Sequence, residues 1–215
     1  GHSRAVAELA AGAATVAGLD APTVRMIRRA GHVHDLGRIG VSNQVWSKAS
    51  ALSAGEFERV RLHPYLTVRI LSQVSGLQEI AALAGNHHEC VNGTGYPRGL
   101  TGPTLGLPDR ILAAAVGYQS AREPRPYRAP MSAGDAQRRL RARADAGELD
   151  AILWDVYALW FSGLVSPSEM ATQWPAEFDN DPQVTYSSID WIALTDDADF
   201  RSDYVPVSIS LFELQ

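Results

Sequence analysis

The chain of 215 residues has a single cysteine, Cys90, so no internal disulfide framework holds it together. It has no uninterrupted apolar run near the ~18 residues that a membrane-spanning helix needs. No signal peptide opens it, so a reducing cytoplasm is the expected compartment. An initiator Met is also missing: the chain begins GHSRAV and reads as a segment of something longer. Histidine is absent after residue 88, and all six, His2, His32, His34, His63, His87 and His88, fall before it. Basic residues nearly vanish after residue 150. There, eleven acids face one base, Arg201, whereas the first 150 residues carry eighteen bases and thirteen acids. A basic front suits an anionic ligand such as a phosphate ester, although Arg-rich helices are more often plain solvated faces. The acidic tail argues against nucleic acid there. Four of the five tryptophans also lie after residue 150. The composition change places a boundary near residue 162, giving a front domain of residues 1–161 and an acidic tail of residues 162–215.

The front is rich in helical signals. Alanine, valine and leucine recur at helical spacing from Ser3 to Ala17, where Gly18 ends the pattern, and a second pattern runs from Ala21 to His34. Ser53 followed by Glu56 is a capping-box signature for a helix over 54–62, and Pro64 opens another, through Leu71. Further helices are expected over 77–89, over 107–122, from Ser132 to about Ala144, and over 151–161 with Asp150 as its N-cap. Residues 90–106, with five glycines, read as a loop. In the tail, VTYSSIDWIAL and DYVPVSISLFEL read as two strands.

Five of the six histidines sit at helix ends or beside punctuating residues, and helix ends can converge on one cavity. Only His32 reads as an ordinary surface or core histidine. Neutral imidazoles with a carboxylate suit divalent first-row metals, and more than four such ligands suggest two ions. Two ions roughly 3.5–4 Å apart clamp a phosphoryl group and generate hydroxide between them. Adjacent His87 and His88, at a frayed helix end, are expected to point to different ions.

The elements GHSRAV, HVHDLGRIGV, RLHP, HHECVNGTGYPRGL, PDRILAAAVGYQSA and PRPYRAP occur in the order and spacing of the HD-GYP family, a branch of the HD-domain phosphohydrolases. Residues 1–160 resemble that family. The resemblance implies an all-α, HD-domain-like helical bundle. It implies a metal-dependent phosphodiesterase that hydrolyses cyclic di-GMP or a related nucleotide with a hydroxide activated by divalent ions, two in number and of iron or manganese type. His2, His34, Asp35, His63, His87 and His88 match metal ligands, and Asp35 and Arg38 match catalytic positions. Arg125, Arg128 and Tyr96 match substrate-binding positions, where a guanidinium fork fits phosphate. Gly95, Tyr96 and Pro97 form the GYP signature, which in some members docks a signalling protein. No membrane and no direct nucleic-acid partner is implied for this segment.

Four positions depart from the family pattern. Val116 stands where the family has a metal-binding aspartate, Gln119 replaces a second aspartate, Arg38 replaces a lysine, and Asn92 replaces an aspartate before the turn. Asn tolerates the left-handed conformation much as Asp does, so the turn is expected to survive. Valine cannot ligate, so the resemblance leaves Asp35 as the one anionic ligand. The alternative is therefore a catalytically impaired domain acting as a regulatory, nucleotide-binding or protein-interaction module in bacterial signalling.

Overall fold

The structure, a computed structural model, describes residues 1–150. Their regular elements are helical, joined by loops and two isolated bridges, Asn92 with Thr101 and Arg125 with Arg128. Helix α1 (His2–Val16) buries Val6, Ala7, Ala10, Ala11 and Ala14 completely. Such small side chains let α2 (Ala21–Val33) and α7 (Leu107–Arg122) pack closely against it. Asp20 caps α2 by accepting the Thr23 N–H at 3.0 Å. Ile27, Ile111 and Leu112, fully buried, are among the largest side chains of the core.

A 3-10 segment (Leu36–Gly40) and a one-turn helix, α3 (Asn43–Trp46), follow α2, and neither shows in the hydrophobic pattern. The 3-10 segment lies directly on α5 (His63–Leu71). A Cβ at Gly37 would stand 2.0 Å from the His63 carbonyl oxygen and 2.5 Å from the Thr67 nitrogen; only glycine permits this approach. The Gly37 N–H donates to Thr67 Oγ1 at 2.9 Å, and that hydroxyl donates to the His34 carbonyl at 2.8 Å. This relay fixes the His34–Asp35 pair over the start of α5.

The predicted capping box opens α4 (Ala54–Arg61): Ser53 accepts the Glu56 N–H, and the Glu56 carboxylate accepts the Ser53 N–H at 2.7 Å. Ser132 likewise caps α8 (Ala133–Asp145), which packs on α7. One expected boundary is wrong. Helix α6 (Gln78–Gly85) stops four residues short of Glu89. Asn86 turns back through a bond to the Leu83 carbonyl, and Glu89 N–H donates to the Asn86 carbonyl at 2.8 Å, so the chain leaves the helix as a tight turn carrying both histidines.

The buried carboxylate of Glu89 then organises the glycine-rich loop, accepting the N–H groups of Arg98 and Leu100 at 2.8 Å each. Asn92 preserves its turn, but by another route than expected. No non-glycine residue described has a positive φ; Gly93 takes that conformation, at φ 78°, and the Asn92 Oδ1 caps the turn by accepting the Thr94 N–H at 3.1 Å. The expected helix over 151–161, the two strands, the tail and its boundary at residue 161 lie outside the described residues. No described helix is long and apolar enough to cross a membrane.

Candidate metal centre

Four helix ends, carrying five histidines, converge at one cavity of about 940 Å³. His2 is the first residue of α1, His34 caps the end of α2, His63 begins α5, and His87 and His88 ride the turn after α6. His32, exposed on α2, stays out of it. His63, His87 and His88 offer ligand atoms within 4.8 Å of one another, and so do His2, His34 and Asp35. The histidine doublet thus differs from expectation. The tight turn at Asn86–Glu89 aims both rings into the His63 group, although His87 also packs edge-on against His34, with ring centroids 4.8 Å apart.

Three of the imidazoles share one device. The Nδ1 of His34 faces the Gly31 carbonyl at 2.8 Å, that of His63 the Val60 carbonyl at 2.6 Å, and that of His87 the Ala84 carbonyl at 2.6 Å. A carbonyl only accepts, so each Nδ1 must carry the proton, and Nε2 is left with its lone pair toward the cavity. Burial keeps the His34 and His87 imidazoles below their ordinary pKa, hence neutral. Burial and the neighbouring His63 do the same for His88. The consequence is a set of unsatisfied acceptors. His34 Nε2 is buried without a hydrogen-bond partner among the described residues, and His63 Nε2 lies 3.1 Å from His87 Nε2. Two bare lone pairs at that distance repel, so a proton or a cation has to sit between them. Divalent ions at the two groups would satisfy these acceptors, and Nδ1 bonded to a carbonyl is the support a metal-bound imidazole needs.

Asp35 joins the two groups. Its Oδ1 is 3.3 Å from His63 Nε2 and 3.9 Å from His87 Nε2, while its Oδ2 is 3.8 Å from His34 Nε2 and 3.9 Å from His2 Nε2. Burial raises the Asp35 carboxyl, but the close contact with His63, together with the neighbouring His34, His87 and Arg38 side chains, outweighs it and holds the group below the usual carboxylate range. The donor set of imidazoles around one carboxylate therefore fits a divalent metal.

The remaining expected residues line or flank the same cavity. Arg38 donates to Asp35 Oδ2 at 2.9 Å and lies 4.1 Å over the ring of Trp46, which itself meets His63 edge-on. Tyr96 stacks on His88 at 4.6 Å. Burial and the Asp35 charge push its phenol pKa up, so the hydroxyl keeps its proton. A Cβ on Gly95 would stand 2.3 Å from the Cys90 nitrogen, so the glycine of the GYP loop sits against the turn that holds the doublet. Arg125 and Arg128 pair backbone to backbone around Pro126–Tyr127. Arg125 and Arg128 both line the cavity, but Arg128 spends donors on the carbonyls of Ser120 and Ala121, fastening this hairpin to the end of α7. Val116 is 3% exposed in the cavity wall.

Sequence reasoning missed four participants. Trp46 and Lys48 come from the unforeseen segment after Gly40, and Arg143 comes from α8; all three line the cavity. Glu123, at the end of α7, accepts from His2 Nδ1 at 2.9 Å. No sequence signal marks Trp46 or Glu123, which reach the site only through tertiary packing.

The HD domain family model matches residues 1–153. A 3'3'-cGAMP-specific phosphodiesterase of Vibrio cholerae is 35% identical over 155 residues, which are 72% of this chain and 36% of that protein. A cyclic di-GMP phosphodiesterase of Pseudomonas aeruginosa is 36% identical over 142 residues, 65% of this chain and 34% of its own length. The chain therefore spans about a third of these relatives. Among solved structures, an HD-GYP-type protein of Bdellovibrio bacteriovorus superposes with a TM-score of 0.61 at 17% identity, over 75% of this chain and 52% of that one, which shows the shared fold. The chain belongs to the HD domain family, the superfamily in which the HD-GYP resemblance of its motifs places it.

Proposed function

We propose that residues 1–161 form a metal-dependent phosphodiesterase domain that opens a cyclic dinucleotide, cyclic di-GMP or 3'3'-cGAMP. The observation that carries this reading is the convergence of unprotonated Nε2 atoms on both oxygens of Asp35, at the floor of a cavity with cationic walls. Two relatives named for cyclic dinucleotide hydrolysis support the substrate class. His63, His87 and His88 would hold one ion and His2, His34 and Asp35 a second, of iron or manganese type. Ions held there supply Lewis acidity toward a phosphoryl oxygen and lower the pKa of a water.

The chain's own residues do the rest. Asp35 stays ionised and orients the attacking water. Arg38 is always charged, so it stabilises charge on the phosphate rather than delivering a proton. Arg125 binds phosphate in the cavity wall, and Arg128 holds the hairpin that presents it and offers its remaining donors. Tyr96, protonated, donates at the mouth of the site. Attack forms a bond from the water oxygen to phosphorus, a ribose hydroxyl leaves, and the ring opens to the linear dinucleotide. The same GYP loop is the proposed docking surface for a signalling protein.

Val116 favours a second reading, a regulatory module that binds nucleotide with little turnover, because this wall of the cavity presents an isopropyl group where the family pattern has a carboxylate. Metal analysis after anaerobic purification, paired with hydrolysis assays on both dinucleotides in Mn²⁺, separates the two. Bound metal with turnover is expected. Metal and nucleotide binding without turnover would select the regulatory module, and neither metal nor turnover would sink the enzyme reading.

A further inference from the structure

Glu123 has no role in the resemblance, yet it makes more polar contacts within the cluster than any carboxylate but Asp35. Its Oε2 accepts from His2 Nδ1 at 2.9 Å and lies 3.7 Å from Arg125 Nη2; its Oε1 accepts from Gln119 Nε2 at 2.8 Å. His2 thus differs from the other imidazoles in one respect. His34, His63 and His87 satisfy Nδ1 with a backbone carbonyl from the preceding turn of their own segment. His2, at the first residue of α1, takes a side-chain acceptor instead. A carboxylate from a residue 121 positions away fills that place, and its charge also makes the ring a stronger donor ligand. Gln119 belongs to the same arrangement. An aspartate there would set a second carboxylate against Glu123, whereas the amide N–H holds it.

We infer that Glu123 is the positioning residue for His2: it fixes the ring with Nε2 toward Asp35 and supplies negative charge to a cluster whose cavity wall has Val116 in place of a carboxylate. The inference rests on the metal-dependent reading above. Glu123 carries no chemistry itself. It sets the affinity of the group formed by His2, His34 and Asp35, with Gln119 and Arg125 holding it in place.

Anaerobic Mn²⁺ titration of the full chain by calorimetry, alongside ¹⁵N imidazole shifts of the metal-free protein, tests this. In the metal-free wild type, His2 is expected in the Nδ1–H tautomer; in Glu123→Ala that preference is lost, and one Mn²⁺ equivalent weakens by roughly 10- to 100-fold while the other is unchanged. Glu123→Gln keeps an acceptor for Nδ1–H but no charge, so its tautomer stays and its affinity falls less. That variant also keeps the test open if the alanine variant folds poorly. Equal Mn²⁺ affinities in wild type and both variants would overturn the inference and leave the function reading standing. A wild type that takes up no Mn²⁺ would overturn both.

Discussion

Among single residues, Val116 carries the most weight for catalysis. It is nearly fully buried beside the cluster, so Val116→Asp places a carboxylate where no water solvates it. In metal-free protein this substitution is expected to cost on the order of 3 kcal/mol, the penalty of an uncompensated buried charge. With Mn²⁺ present the sign reverses, because the new carboxylate faces cations, and both stability and dinucleotide turnover rise above wild type. Urea unfolding with and without Mn²⁺ reads the two arms. A variant equally destabilised in both would show that Val116 does not face the ions. Arg38 illustrates a different lesson at this scale. From the sequence it is a conservative replacement for lysine, but its planar group bridges Asp35 and the Trp46 ring, a geometry a lysine does not reproduce.

At the scale of elements, caps decide where the walls of the cavity stand. Glu56 closes the box that starts α4 and also accepts from Lys48 Nζ at 2.7 Å, tying the segment after α3 to the cavity edge. The Lys48 bond and the Ser53 N–H hold the Glu56 carboxyl at about 2, below its ordinary 4.5. A depressed carboxylate stabilises above its unfolded pKa, and that contribution fades as pH falls from about 4.5 toward 2. Glu56→Gln should therefore be less stable than wild type at pH 7, with the gap narrowing by pH 3. Ser53→Ala, which removes the uncharged half of the box, should cost about 1 kcal/mol at both pH values. Denaturant midpoints at the two pH values check both, and a Gln gap independent of pH would contradict the assignment. The caps at Ser53 and Ser132 were legible because a cap is a local pattern of three or four residues. The early end of α6 was not, because the bonds that help hold the turn there, Arg98 and Leu100 to Glu89, come from residues 9 and 11 positions later.

For the molecule as a whole, the cluster ties residue 2 to residues 34–35, 63, 87–88 and 123, so an ion bound there staples α1, α2, α5, α6 and α7 together. Binding to the folded state alone stabilises by mass action. Free Mn²⁺ at 100 times its dissociation constant should add about 2.7 kcal/mol, visible as a higher Tm that excess chelator removes. A Tm indifferent to Mn²⁺ and Fe²⁺ would contradict the metal reading.

The sequence alone determined the helical character of residues 1–150, most helix boundaries, the family, and the identity of five histidines and one aspartate as a set. These follow from periodicity, local caps and ordered motifs, all short-range properties of the chain. Tertiary structure alone decided how that set is arranged. It put His87 and His88 in one group, made Asp35 the link between two groups, turned part of Arg128 from the cavity to the carbonyls of α7, and brought Glu123 to His2. Those outcomes depend on which helix ends meet, and the contacts that decide it join residues dozens of positions apart, with no spacing that marks them in the chain.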